Sequence, residues 1–180
     1  MRYEFRLSGQ GGQGVILAAI ILAEAAILDG MNVAQTQSYG PESRGGASKA
    51  EVVISDEEID YPKATEPQAV LVLTREAHNK YGVNLKPGTL LFADADHVEG
   101  PWPPDVKVFH VPITRTAVEV TGRELATNVV AIGILSEATG VLRADSVTRA
   151  VKARVPKGTE EMNLRALEAG REIARRVAGS

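Results

Sequence analysis

The segment SGQGGQG, followed at once by VILAAIILAEAAIL, constrains this chain more than any other stretch. Gly9, Gly11 and Gly14 fit the spacing G-x-G-x-x-G, which lets backbone turn tightly between a strand and a helix. Residues 3–7 alternate apolar and polar side chains, as a short strand does. Residues 13–28 are rich in Ala, Leu and Ile and predict a helix, which Asp29-Gly30 ends. A strand, a glycine loop and a helix in that order are the opening unit of an α/β fold.

The remaining pattern extends that unit. Strands are expected at 32–36, 49–54, 69–73, 88–93 and 106–111. Of these AVLVL is apolar throughout, as in a sheet covered on both faces. Helices are expected at 74–81 behind a Thr74 cap, and then at 114–121, 128–139, 145–154 and 159–178. The prediction is an α/β, Rossmann-like fold with a mostly parallel sheet and helices on both faces. The helix-free QSYGPESRGG connection allows one antiparallel pair. At 180 residues, without repeat or linker, the chain is expected to form a single domain, 1–180.

Glycines ahead of a helix N-terminus suit an anion, because unpaired amides and the positive end of the helix dipole point at it. Gly9, Gly11, Gly12, Gln13 and Gly14 are therefore candidates to face a phosphate. A nicotinamide dinucleotide would also need an acid at the end of the second strand to hold the ribose. That strand end reads Val33-Ala34-Gln35-Thr36-Gln37, and the nearby Asp29 precedes the strand. The alternative is that the glycines only let the first helix pack closely on the sheet. That helix is apolar almost all round, so part of its surface is expected to meet another chain.

QSYGPESRGG is the second constellation. Tyr39 precedes a Gly-Pro turn, and Arg44 stands beside Gly45 and Gly46. A guanidinium next to bare backbone can grip a carboxylate or phosphate in a fork, or it can be a surface arginine paired with Glu42.

Together, GQGGQGVILAAIILAEAA and TQSYGPESRGGASKAEVVISDEEIDYP resemble the gamma subunit of a 2-oxoacid:ferredoxin oxidoreductase, in particular that of the 2-oxoglutarate enzyme. The likeness continues through YPKATEPQAVLVL, LKPGTLLFAD, VPITRTAVEVTGRELATNVVAIGILSEATG and KGTEEMNLRALEAG, nearly the whole chain. It implies a gamma-type domain in a complex that converts a 2-oxoacid and coenzyme A into an acyl-CoA, carbon dioxide and reduced ferredoxin. For 2-oxoglutarate the product is succinyl-CoA. It implies thiamine diphosphate, Mg and iron–sulfur clusters on partner alpha, beta and delta subunits, with coenzyme A at an interface and ferredoxin met through the complex. Gly9, Gly11, Gly12, Gln13 and Gly14 would face coenzyme A phosphates. Tyr39, Arg44, Gly45 and Gly46 would join them or seal a subunit contact, and Asn128 is a further site candidate. Asn128 can equally be a helix cap. The rivals are a free-standing nucleotide-binding oxidoreductase and a purely structural subunit.

Composition is consistent with that division of labour. The sequence contains no cysteine, so this chain cannot ligate a cluster by thiolates or act through a thiol. Its net charge of −3, without a basic segment, argues against nucleic acid. The apolar run is too short to cross a bilayer and no leader pattern precedes it, so a cytoplasmic protein is expected. Self-association of the isolated chain is expected from its first helix. Asp94, Asp96 and His97 are read as a solvated loop rather than a metal site, and His78 and His110 as surface or packed histidines.

Overall fold

A computed structural model describes residues 1–38 and 46–178. Six strands form one sheet: β1 (Arg2–Gln10), β2 (Asn32–Ser38), β3 (Ala47–Ser55), β4 (Ala69–Val72), β5 (Leu90–Asp94) and β6 (Lys107–Val111). Their order is β2-β3-β1-β4-β5-β6. β1, β4, β5 and β6 pair in parallel. β2 and β3 form the expected antiparallel pair, and β3 also runs against β1. β3 is thus the single reversed strand, and β2 points the same way as β1.

The helices are α1 (Val15–Leu28), α2 (Arg75–Tyr81), α3 (Ile113–Thr121), α4 (Thr127–Thr139), α5 (Ala144–Arg154) and α6 (Glu160–Ala178). A 3₁₀ turn, Glu124–Ala126, leads into α4. The period-2 pattern of the strands sorts two cores. Phe5, Leu7, Val52, Ile54, Leu71 and Phe92 face α1 and the later helices. Val70, Val72, Leu91 and Ala93 face the other way, against Val98 and Trp102. α2 lies on that second side, so helices do cover both faces, unequally.

α6 packs on α4, α3 and α5, forming a further layer above α4. This explains why every residue from Thr127 to Ser136 is buried. The two helices approach to backbone contact where each has a glycine: a Cβ on Gly133 would lie 2.3 Å from Leu167 O, and one on Gly170 would lie 2.1 Å from Val130 O.

Candidate functional site

The glycine loop closes β1 onto α1. Gly9 is the next-to-last residue of the strand, and a Cβ there would sit 2.6 Å from the Gln13 side-chain oxygen and 3.3 Å from Leu73. Gln13 braces the turn: its backbone N–H donates to Gln10 O at 3.1 Å, and its side-chain oxygen accepts from Gln10 N–H at 2.6 Å. That oxygen is therefore turned into the loop. Gly11 and Gly12 are exposed.

Gly14 is the N-cap of α1, with φ 77°, in the left-handed region that a side chain resists. The helix begins at Val15, two residues later than the sequence predicts, because Gln13 is spent on the turn. Among the described residues no side chain accepts from its free amides, and its first turn has no acid. Among those residues, therefore, no carboxylate or hydroxyl competes for an incoming anion.

Asn128 is not an N-cap. α4 starts at Thr127 with Ala126 as its cap residue, and Asn128 reaches across to donate to Gly14 O at 3.3 Å. Helix α4 thereby holds the end of the loop. The contact joins residues 114 apart in sequence, and only assembly of the helical layer brings them together.

The loop stands between two hollows. On one side a cavity of about 190 Å³ is lined by Gly12, Gly14, Leu17, Arg123, Asn128 and Met162, among others. On the other a groove of about 230 Å³ runs past Gln10, Gly11, Ile16 and Ser48. Among the described residues the Arg123 guanidinium has no hydrogen-bond or ion-pair partner, and Arg123 is exposed at the mouth of the cavity. The sequence reading missed Arg123. Its only signal there was a cation next to the αL glycine, Gly122, that ends α3.

Tyr39, Arg44 and Gly45 lie outside the described residues. Their flanks are placed: Gly46 is half-buried and precedes Ala47, which pairs with Gln10, while Ser38 pairs with Lys49. Because β2 runs in the direction of β1, this connection leaves the sheet at the end that carries the glycine loop.

Two acids have structural duties. Asp29 accepts from Arg143 N–H at 2.9 Å and from the Ser146 hydroxyl, so it caps α5. It is not placed to hold a ribose. β3, moreover, separates β2 from β1, which removes the end of the second strand from the loop's side. Asp94 corrects the reading of FADADHVEG as a solvated loop. It is fully buried, accepting from Ile113 N–H at 3.0 Å, Thr114 Oγ1 at 2.6 Å and His97 Nδ1 at 2.8 Å. It caps α3 from β5. Asp96 is exposed and pairs with Arg115, whose hydrogen bond lowers its carboxyl below the usual range.

His78 is buried against Trp102 with Nε2 3.2 Å from Pro101 O, and His110 donates to Val98 O at 2.6 Å. Among the described residues no group of three or more His, Cys, Asp or Glu side chains could hold a metal, and no helix is long and apolar enough to cross a membrane.

The family model for pyruvate ferredoxin/flavodoxin oxidoreductase matches residues 4–173. The chain therefore belongs to that family. It is 50% identical over 180 residues to the 2-oxoglutarate synthase subunit KorC of Methanothermobacter marburgensis, covering 96% of this chain and 97% of that one. The gamma subunit of a keto/oxoacid ferredoxin oxidoreductase from Geobacter sulfurreducens superposes with a TM-score of 0.89 at 46% identity, over 98% of each chain. A 2-oxoglutarate:ferredoxin oxidoreductase from Magnetococcus marinus, solved with 2-oxoglutarate, coenzyme A and succinyl-CoA, shares the fold. Its TM-score is 0.88 at 24% identity, over 97% of this chain and 31% of that larger one. Within its family the chain is a gamma-type subunit of a 2-oxoacid:ferredoxin oxidoreductase, as the sequence resemblance implied.

Proposed function

We propose that this subunit presents coenzyme A to a thiamine-dependent 2-oxoglutarate:ferredoxin oxidoreductase. It would do so as a single gamma-type domain assembled with alpha, beta and delta subunits in the cytoplasm. In this reading thiamine diphosphate, Mg and the iron–sulfur clusters sit on those partners, and ferredoxin is met through them. The observation that carries the reading is that, among the described residues, the N-terminus of α1 behind Gly14 has no side-chain cap and the Arg123 guanidinium at the same cavity has no partner.

Each part has a chemical role. The amides of Gly11, Gly12, Gly14 and the first turn of α1 donate to a phosphate or pyrophosphate. Arg123 supplies the counter-charge in a fork that matches phosphate oxygens. The adjoining cavity, walled by Leu17, Val129, Val155 and Met162, accepts a thin, largely apolar arm. Gln13 and Asn128 hold the loop in shape from either side. Tyr39, Arg44, Gly45 and Gly46 belong to the connection that leaves the same end of the sheet, and we assign them to the same ligand or to the subunit contact beside it.

The test is Arg123→Ala in the assembled enzyme. A charge-assisted hydrogen bond contributes about 1.5–3 kcal/mol, so KM for coenzyme A should rise roughly ten- to hundredfold. KM for the 2-oxoacid should stay within about twofold. A variant with both constants unchanged, or both raised equally, overturns the assignment and favours the purely structural subunit. Binding of NAD(P)H by the isolated chain would favour the nucleotide-dependent rival instead.

A further inference from the structure

Two asparagines in the cavity wall are satisfied on one side of their amides and not on the other. Asn128 on α4 and Asn163 on α6 are each 6% exposed, and both line the hollow beside Gly14. Their orientations are fixed by what they touch. Asn128 Nδ2 meets Gly14 O at 3.3 Å. Asn163 Nδ2 meets Thr159 O at 3.0 Å and Thr159 Oγ1 at 3.1 Å. A backbone carbonyl only accepts, and the Thr159 hydroxyl gives its proton to Pro156 O. Nitrogen, not oxygen, must therefore face these partners. Among the described residues neither Oδ1 accepts a hydrogen bond. Neither oxygen is sealed in, since His78 Nδ1 is the one enclosed side-chain atom without a partner among those residues. Each opens on the cavity that its residue lines.

The fold does not need the Asn163 amide. Thr159 O already accepts the Asn163 backbone N–H at 2.9 Å, and the Thr159 hydroxyl is bonded to Pro156 O. The two Nδ2 bonds add to partners that are already satisfied. A polar side chain buried this deeply costs free energy wherever one of its groups stays unbonded, and a leucine of similar size would avoid that cost. What the asparagine adds is an acceptor turned into an apolar hollow. Arg123, at the mouth, carries donors alone and cannot take its place.

We infer that Asn128 and Asn163 read the N–H groups of a ligand arm whose polar points are secondary amides. Two acceptors set in apolar walls match a thin chain that is aliphatic between N–H donors. A wholly aliphatic chain would leave both oxygens unmet, and a carboxylate would be repelled by them. The inference rests on the reading of the ligand as coenzyme A, whose pantetheine arm carries two secondary amides. It adds a division of labour to that reading. The glycine loop and Arg123 hold the phosphate end, and the asparagines hold the arm, which sets how far the thiol reaches.

The test is titration calorimetry on the assembled oxidoreductase without 2-oxoacid. The ligands are coenzyme A, 3′,5′-ADP (phosphates without the arm) and two coenzyme A analogues, each with one arm amide replaced by an ester that has no N–H. At least one ester analogue should bind the wild type about three- to tenfold more weakly than coenzyme A does. Asn163→Leu should weaken coenzyme A by a similar factor, bind that analogue as well as coenzyme A, and leave 3′,5′-ADP within about twofold. Asn163 is replaced because Asn128 also holds the glycine loop. A wild type that binds both analogues as tightly as coenzyme A overturns the inference, and this arm needs no variant to fold. An Asn163→Leu enzyme that still discriminates against the analogue by the wild-type factor overturns it too. Arg123→Ala separates the two readings. If it weakens coenzyme A and 3′,5′-ADP alike while the amide and asparagine changes do nothing, the arm assignment alone falls. If it weakens neither ligand, the phosphate reading falls and this inference with it.

Discussion

Replacing Gly14 by alanine tests how the loop is held. Ala at φ 77° costs about 1–2 kcal/mol in backbone strain. Its Cβ would also lie 2.5 Å from Asn128 Nδ2 and 2.9 Å from Asn128 Cγ. Forcing that contact adds about 1–3 kcal/mol of overpacking, so Gly14→Ala should lose roughly 2–5 kcal/mol in all. Asn128→Ala removes only the 3.3 Å hydrogen bond to Gly14 O, worth about 0.5–1.5 kcal/mol. In the double variant the offending Nδ2 and Cγ are gone, and the nearest remaining contact is Asn128 Cβ, 3.2 Å away. The double should therefore be less destabilised than the sum of the singles by about 1–3 kcal/mol. Urea unfolding of the four proteins, with m-values compared, measures this coupling. Additivity within about 0.5 kcal/mol would refute the claim that α4 holds the glycine loop through this contact.

Three further outcomes follow from the same geometry. Gly133→Ala gains about 1 kcal/mol of helix propensity but drives a Cβ against Leu167 O. A net loss of at least about 2 kcal/mol is expected on thermal unfolding, and a more stable variant would refute the close α4–α6 approach. Asp94→Ala strips buried donors of α3 of their acceptor and should cost about 2–4 kcal/mol, whereas Asp94→Asn, which keeps one acceptor oxygen, should cost less; equal stabilities would refute the capping role. Burial pushes the Tyr3 phenol up to about 12 from its ordinary 10.0. The folded state then holds this proton more tightly than the unfolded chain, so the contribution is intact below pH 10 and lost as pH rises toward 12. The urea midpoint should fall across that window in the wild type, and Tyr3→Phe should flatten the fall; identical slopes would refute it.

The strands and helices were legible because each carries its own period. AVLVL is apolar throughout, as a strand covered on both faces is, and residues 128–139 read as a helix, although its burial from Thr127 to Ser136 comes from the packing of α6. The glycine turn was legible as a whole, but Gly14 fell inside the predicted helix 13–28, and only the structure makes it the left-handed residue ahead of Val15. Asp94 was misread because nothing in FADADHVEG announces that the backbone amides of Ile113 and Thr114 will come to it. Asn128 was noticed, but a role as a cap was the local alternative. Its true partner, Gly14 O, exists only once α4 lies beside α1.

What the sequence determined by itself is therefore the set of elements, the face each one buries, and the family, because side-chain period and local turn chemistry are properties of neighbouring residues. What only the tertiary structure decided is the insertion of β3 between β2 and β1, the bracing of the glycine loop by Asn128, and the cavity that brings Arg123 to the loop. Each depends on strands or helices far apart in the chain lying side by side, and that choice is made by burying the whole apolar surface at once, which no local stretch encodes.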